Sequence, residues 1–232
     1  MVSGRGVPVG GPTWDGWVQP PAYTDLPTLY LNDITGDVLP VPEGSRITVR
    51  LYGEVGGLTV AETLSQRTGD VPSAAEPSQD LQVRQSGELI INGPGGQAWD
   101  VVMVPDQAPE IVLESAAESS ARGEMTLPFA AKDDYAVTGG QAVIALDLEA
   151  LDRQHGLAIA PETQDALTVE LPMSITGDRS DFSEVLIEDF SRHVWAHLPV
   201  SVTLTATDAA EQTGQTVPQT MNLPARRFFD PL

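Results

Sequence analysis

The sequence predicts an all-β protein: tandem immunoglobulin-like antiparallel β-sandwiches, with one amphipathic helix inserted in the second. Three observations carry that expectation. Short runs rich in Val, Ile, Thr and Tyr recur along the chain, and Gly- and Pro-rich turns separate them. Hydrophobic residues make up 41% of 232, enough for packed cores in one large or two small domains. Cysteine is absent, so the Cys–Trp–Cys pin of antibody domains is missing and only the sandwich architecture is expected.

Residues 1–24 read as an irregular leading segment. Gly4, Gly6, Gly10, Gly11, Pro8, Pro12, Pro20 and Pro21 oppose a regular helix or central strand. Trp14 and Trp17 are unusual in a free linker and are expected to pack on the domain that follows. Residues 25–105 form the first module. Thr28–Leu31, Arg46–Tyr52, Leu81–Gln85, Glu88–Ile91 and Trp99–Val104 are its strand candidates. In RITVRLY, Ile47, Val49 and Leu51 alternate with Thr48 and Arg50, the period of a half-buried strand. Ser86-Gly87 reads as a hairpin turn, Gly93–Gly96 as a second loop, and 68–79 as a surface loop.

Pro105 and Pro109 bracket a short polar link, and the second module, 106–232, begins there. Its strand candidates are Glu110–Glu114, Met125–Ala131, Gln141–Leu148, Leu167–Met173, Val200–Thr207 and Thr216–Leu223. Residues 181–197 break this text. Phe182, Leu186, Phe190 and Val194 recur at four-residue spacing beside Ile187, so a helix is predicted, capped by Ser180 or Asp181 and stopped by Pro199. A shorter helix is predicted over Leu148–His155.

Charge narrows the partners. The chain carries 33 acidic and 12 basic residues, a net charge of −21. Nucleic acid is excluded because it requires a basic footprint, and anionic membrane surfaces are disfavoured for the same reason. No apolar run reaches the roughly 18 residues of a membrane span, so no insertion by this segment is expected. Residues 106–232 hold 21 acidic against 7 basic groups, net −14, scattered as a solvated surface.

Few constellations suggest chemistry. Asp133, Asp134 and Asp208 end strands and are weak calcium candidates, since such carboxylates supply hard oxygen ligands. The alternative is that they cap turns by accepting backbone N–H bonds. Asp189, His193 and His197 share an i, i+4 spacing that on a helix would suit zinc. They lack the Glu of HExxH and fall beside the apolar stripe, which favours capping or core-edge histidines. His155 carries no motif. Nucleophile-elbow, phosphate-loop and dinucleotide fingerprints are absent, so no catalytic residue and no cofactor is expected. Arg226, Arg227, Phe228 and Phe229 form a basic–aromatic tail suited to docking on the acidic module or on another part of a longer parent chain.

A series of short phrases runs through the chain: Trp17–Thr24, Val104-Pro105-Asp106 with Pro109, Asp133-Asp134-Tyr135, His193 with Trp195-Ala196 and Leu198–Val200, Asp208–Ala210, and Leu223-Pro224 leading to Phe229 and Pro231. In that order and spacing they resemble the domain of unknown function 4175 family of alphaproteobacterial membrane-anchored proteins. The chain departs from the pattern at Ala136, His197 and Glu211, where the resemblance places glycine, and at Val194, where it places proline. Histidine in a glycine position argues against an inherited zinc site. The resemblance implies an excised periplasmic segment of an inner-membrane-anchored protein and carries no activity to transfer.

The leading functional expectation is therefore non-enzymatic: a periplasmic spacer or protein-interaction platform, contacting another envelope protein by strand addition or other parts of the parent chain. The alternative is a cell-wall glycan-binding module using Trp14, Trp17, Trp99 and Trp195 as stacking platforms. The enzymatic reading is a metal-dependent hydrolase on Asp189, His193 and His197.

Overall fold

The structure is a computed structural model and describes residues 11–68, 71–151, 164–173 and 179–226. The chain divides into two compact units, Met1–Asp106 and Gln107–Leu232. Each has its own hydrophobic core.

The first unit contains β1 (Thr13–Gln19), β2 (Leu29–Tyr30), β3 (Val38–Pro42), β4 (Arg46–Tyr52), β5 (Thr59–Glu62), β6 (Ser78–Gln82), β7 (Gly87–Asn92) and β8 (Ala98–Val104). One sheet runs β2-β1-β4-β6 and the other β3-β8-β7-β5. Their facing side chains interlock: Val18, Ile47, Val49 and Leu81 from the first sheet meet Leu39, Val41, Leu89 and Val101 from the second. Trp14 and Trp99 meet edge to face across this core, ring centroids 5.7 Å apart.

The described part of the leading segment is not irregular throughout, because Thr13–Gln19 within it is a strand. β1 pairs with β4 over seven registered residues, with Trp14 and Val18 buried. Of the residues read as opposing a strand, Gly11 and Pro12 precede β1 and Pro20 and Pro21 follow it, while Gly16 inside it is a packing residue: a Cβ there would lie 2.6 Å from Leu31 Cδ1. Two further expectations change. β3 and β8 pair in parallel, so the unit is not wholly antiparallel. Pro40 and Pro42 fit there because β3 is an edge strand. Ser86-Gly87 is no hairpin turn, because β6 and β7 belong to different sheets.

The second unit contains β9 (Glu110–Leu113), β10 (Glu118–Ser119), β11 (Glu124–Lys132), β12 (Val137–Leu146), β13 (Leu167–Glu170), β14 (Asp181–Asp189), β15 (Pro199–Asp208), β16 (Thr213–Gln215) and β17 (Gln219–Asn222). β11 lies between β14 and the successive segments β9 and β10. In the second sheet β12 and β15 are central, flanked by β13 on one side and by β16 and β17 on the other. Met125, Leu127 and Phe129 of β11 pack with Ala142, Ile144, Val202 and Leu204 to make the core.

The inserted helix is corrected by this arrangement. Asp181–Asp189 is a strand that pairs with β11 from Glu124↔Asp189 to Lys132↔Asp181. Phe182, Leu186 and Phe190 are buried, but four-residue spacing keeps side chains on one face in a strand as well as in a helix. Val194, on the predicted helical stripe, is 83% exposed, and Ile187 is 56% exposed. Of the shorter predicted helix, Glu149 and Ala150 lie in a turn whose N–H groups Asp147 Oδ1 accepts, both at 3.1 Å. His155 lies outside the described residues.

Among the described residues, five non-glycine residues have positive φ: Asp25, Gln66, Ala136, His197 and Glu211. Three of these, Ala136 (φ 138°), His197 (71°) and Glu211 (67°), are the positions where the sequence resemblance places glycine. Each of Ala136→Gly, His197→Gly and Glu211→Gly should therefore raise unfolding free energy by about 0.5–1 kcal/mol, read from urea midpoints. Lower stability in all three would contradict the strain.

Candidate functional site

The strand-end aspartates are engaged in turns. After β11, Asp133 Oδ2 accepts the N–H groups of Tyr135 at 3.0 Å and Ala136 at 2.8 Å. After β15, Asp208 Oδ1 accepts the Gln212 N–H at 2.7 Å. Each carboxylate thus closes the reversal that follows its strand. Asp134 is exposed beside Asp133. Asp133 Oδ1 and Asp208 Oδ2 are buried without a hydrogen-bonding partner. Among the described residues no group of three His, Cys, Asp or Glu side chains gathers as a metal centre.

The residues considered for zinc fall in a string of turns rather than on a helical face. Asp189 Oδ1 accepts the Ser191 N–H at 2.9 Å. Hydrogen bonds from the Ser191 hydroxyl and N–H hold its carboxyl below the usual carboxylate range. Phe190 O then accepts the His193 N–H, His193 O the Ala196 N–H, and Trp195 O the Leu198 N–H. His193 Nδ1 accepts the Trp195 N–H at 3.2 Å, and its ring meets Phe190 and Trp195 edge on. His197 donates its N–H to Leu223 O at 3.0 Å and leaves its side chain exposed. Asp189 and His193 thus act in local turn geometry, and the helical spacing that linked the three residues is gone.

The four indoles also separate. Trp14, Trp99 and Trp195 are buried in the cores, so they offer no stacking face. Trp17 stands on the outer face of β1, its ring 6.0 Å from that of Tyr30, with the Arg50 guanidinium 5.5 Å above it. Tyr30 Oη donates to Asp15 Oδ1 at 2.5 Å. That hydrogen bond, with desolvation and the nearby Asp15 charge, pushes the phenol up to about 12.

Sequence reasoning expects docking at edge strands of the second module but places a helix over the residues that form one, β14. Among the described residues β14 pairs only with β11, so one row of its backbone groups is unused. Val185 and Ile187 project from its solvent face, 42% and 56% exposed. Asp181 and Asp189 mark its two ends. A usable signal was present: Val185 and Ile187 are β-branched and alternate with Glu184 and Glu188.

The chain belongs to the domain of unknown function 4175 family, whose pattern matches residues 3–232. Comparison with curated proteins finds no match. Among solved structures, a DUF3823 family protein from Bacteroides ovatus is 8% identical with a TM-score of 0.33, covering 73% of this chain and 90% of that one. The fibronectin(III)-like modules of CbhA from Clostridium thermocellum are 9% identical with a TM-score of 0.30, covering 86% and 96%. Trypsin-activated alpha-2-macroglobulin from Escherichia coli is 13% identical with a TM-score of 0.27, covering 90% of this chain but 15% of that one. Likeness at this level adds nothing to the fold read from the chain itself.

If Asp133 serves the turn, Asp133→Ala should cost about 1–2 kcal/mol, and the same amount in EDTA as in millimolar calcium. Equilibrium urea unfolding reads both. A loss seen only with calcium present would assign the carboxylate to a metal instead.

Proposed function

We propose that the chain is a non-enzymatic pair of β-sandwich modules, acting as a spacer and protein-interaction platform in the periplasmic part of a membrane-anchored envelope protein. The observation that carries this reading is the open edge of β14. Natural edge strands are commonly blunted by Lys, Pro or a bulge. β14 has neither residue type, and its register with β11 runs unbroken through nine pairs; its protecting charges are all acidic, Asp181, Glu184, Glu188 and Asp189, so they repel another acidic strand and not a basic one.

The occupant that fits is an extended segment of another envelope protein with basic residues near its ends. Two copies of β14 paired antiparallel about Val185 would set Asp181 against Asp189 twice, and like charges directly opposed repel. Lys or Arg at those places in a partner strand turns both repulsions into attractions. Apolar residues opposite Val185 and Ile187 would cover the exposed β-branched pair.

The non-enzymatic part rests on how the reactive side chains are used. Asp133, Asp189 and Asp208 accept turn N–H groups, and His193 packs between two aromatic rings. The scattered acidic surface favours a soluble, self-repelling segment. Nothing comparable favours glycan binding, for Trp17 alone stands at the surface and Arg50 covers its ring.

A photo-crosslinking residue at Ser183 in the parent protein, expressed in its own cells, tests the platform. One discrete protein adduct is expected, and Ile187→Lys should lower its yield about tenfold. The same probe at Val102, on the outer face of β8, should give none. Equal labelling from both positions, or an adduct indifferent to Ile187→Lys, would overturn the reading.

A further inference from the structure

The first unit holds a cationic cleft that the spacer reading does not use. Residues 1–105 carry 12 acidic and 5 basic groups, yet three of those five arginines, Arg46, Arg67 and Arg84, line one cleft of about 460 Å³. The cleft lies at the β6 edge of its sheet. Arg46 opens β4 opposite Gln82, and Arg84 follows β6, its N–H bonded to Leu64 O at 3.0 Å. Three chain segments therefore bring the guanidinium groups together.

Arg67 is the fixed member. Its Nη2 lies 3.2 Å from Glu62 Oε1, its Nε donates to Ser65 Oγ at 3.0 Å and its Nη1 to Asp80 O at 3.2 Å. Burial pushes the Glu62 carboxyl up, but bonds from the Ser65 hydroxyl, the Ser65 and Leu64 N–H groups and Arg67 together hold it below its ordinary value. The ion pair with Glu62 and the bonds to Ser65 and Asp80 O thus fix the Arg67 guanidinium in the cleft wall.

Arg46 and Arg84 differ. Both are exposed, and among the described residues neither has an ion-pair partner. Asp80 is the one carboxylate in the lining, and its Oδ1 accepts the Thr48 hydroxyl at 2.6 Å. Two unpaired guanidinium groups on a chain of net charge −21 are a localised positive field in a negative surround. Guanidinium forks match planar or tetrahedral oxyanions and bind them bidentately.

We propose that this cleft binds a small multivalent oxyanion, a carboxylate or phosphate, held by Arg46 and Arg84 over the fixed Arg67. Gln82, tied to Gly44 O at 3.3 Å, leaves the wall between them polar.

The test follows arginine side-chain Nε–H resonances of the 232-residue chain during titration with pyrophosphate and, separately, citrate. Saturable shifts at Arg46 and Arg84 are expected with at least one anion, and which anion binds identifies phosphate or carboxylate as the source. Arg84→Ala should raise the dissociation constant about tenfold, and Arg84→Lys by less, because charge remains while the fork is lost. The double variant Arg46→Gln/Arg84→Gln, which changes only exposed side chains, should abolish saturation, whereas Arg50→Gln outside the cleft should not. No saturable shift with either anion at millimolar concentration, or unchanged binding in the double variant, would overturn the site.

Discussion

The second unit depends on one alternation, that of β14 against β11. Phe182, Leu186 and Phe190 turn inward, and the Phe182 ring meets Phe129 edge on at 6.4 Å. Because side chains on a strand alternate strictly, a slip of one residue would bring Val185 and Ile187 inside and turn the two phenylalanines to solvent. The hydrophobic face thus sets the register, and the register leaves Asp181 and Asp189 at the ends of an open edge. The proposed docking property follows from packing: the residues that close the core determine which β-branched side chains remain outside.

The strands that were legible in the sequence are those whose pattern admits one period. In β4, Ile47 and Val49 are buried between more exposed Arg46, Thr48 and Arg50, and its bounds are those the alternation predicts. In β15, Val200, Val202 and Leu204 alternate in the same way. β14 was misread because residues 182, 186 and 190 share a face under either period, and only Glu184 and Glu188 between them, half-buried beside the core, distinguish the two. The leader was misread because the breakers Gly11, Pro12, Pro20 and Pro21 lie just outside β1 and do not interrupt it. Strand text alone was silent on β3, whose two prolines suit only an edge.

The candidate sites show a similar division. A turn is local, so the ability of Asp133 and Asp208 to close one could be read from residue type and position after a strand. The Arg46, Arg67 and Arg84 cleft could not, because its members are brought together by β4, β6 and the turn after β5. Membership of the domain of unknown function 4175 family does not supply an activity, and the chemistry has to come from such juxtapositions. The two units offer different ones: a cationic cleft in the first and an acid-ended, β-branched edge in the second.

The central claim is that Asp181–Asp189 is an edge strand held on one side only. Residue-resolved amide hydrogen exchange measures this directly, because an edge strand directs alternate N–H groups to its neighbour and the others to solvent. Alternating slow and fast exchange along Asp181–Asp189 is the predicted result. Unbroken protection of successive amides through this segment, as in a helix or a strand paired on both sides, would contradict it.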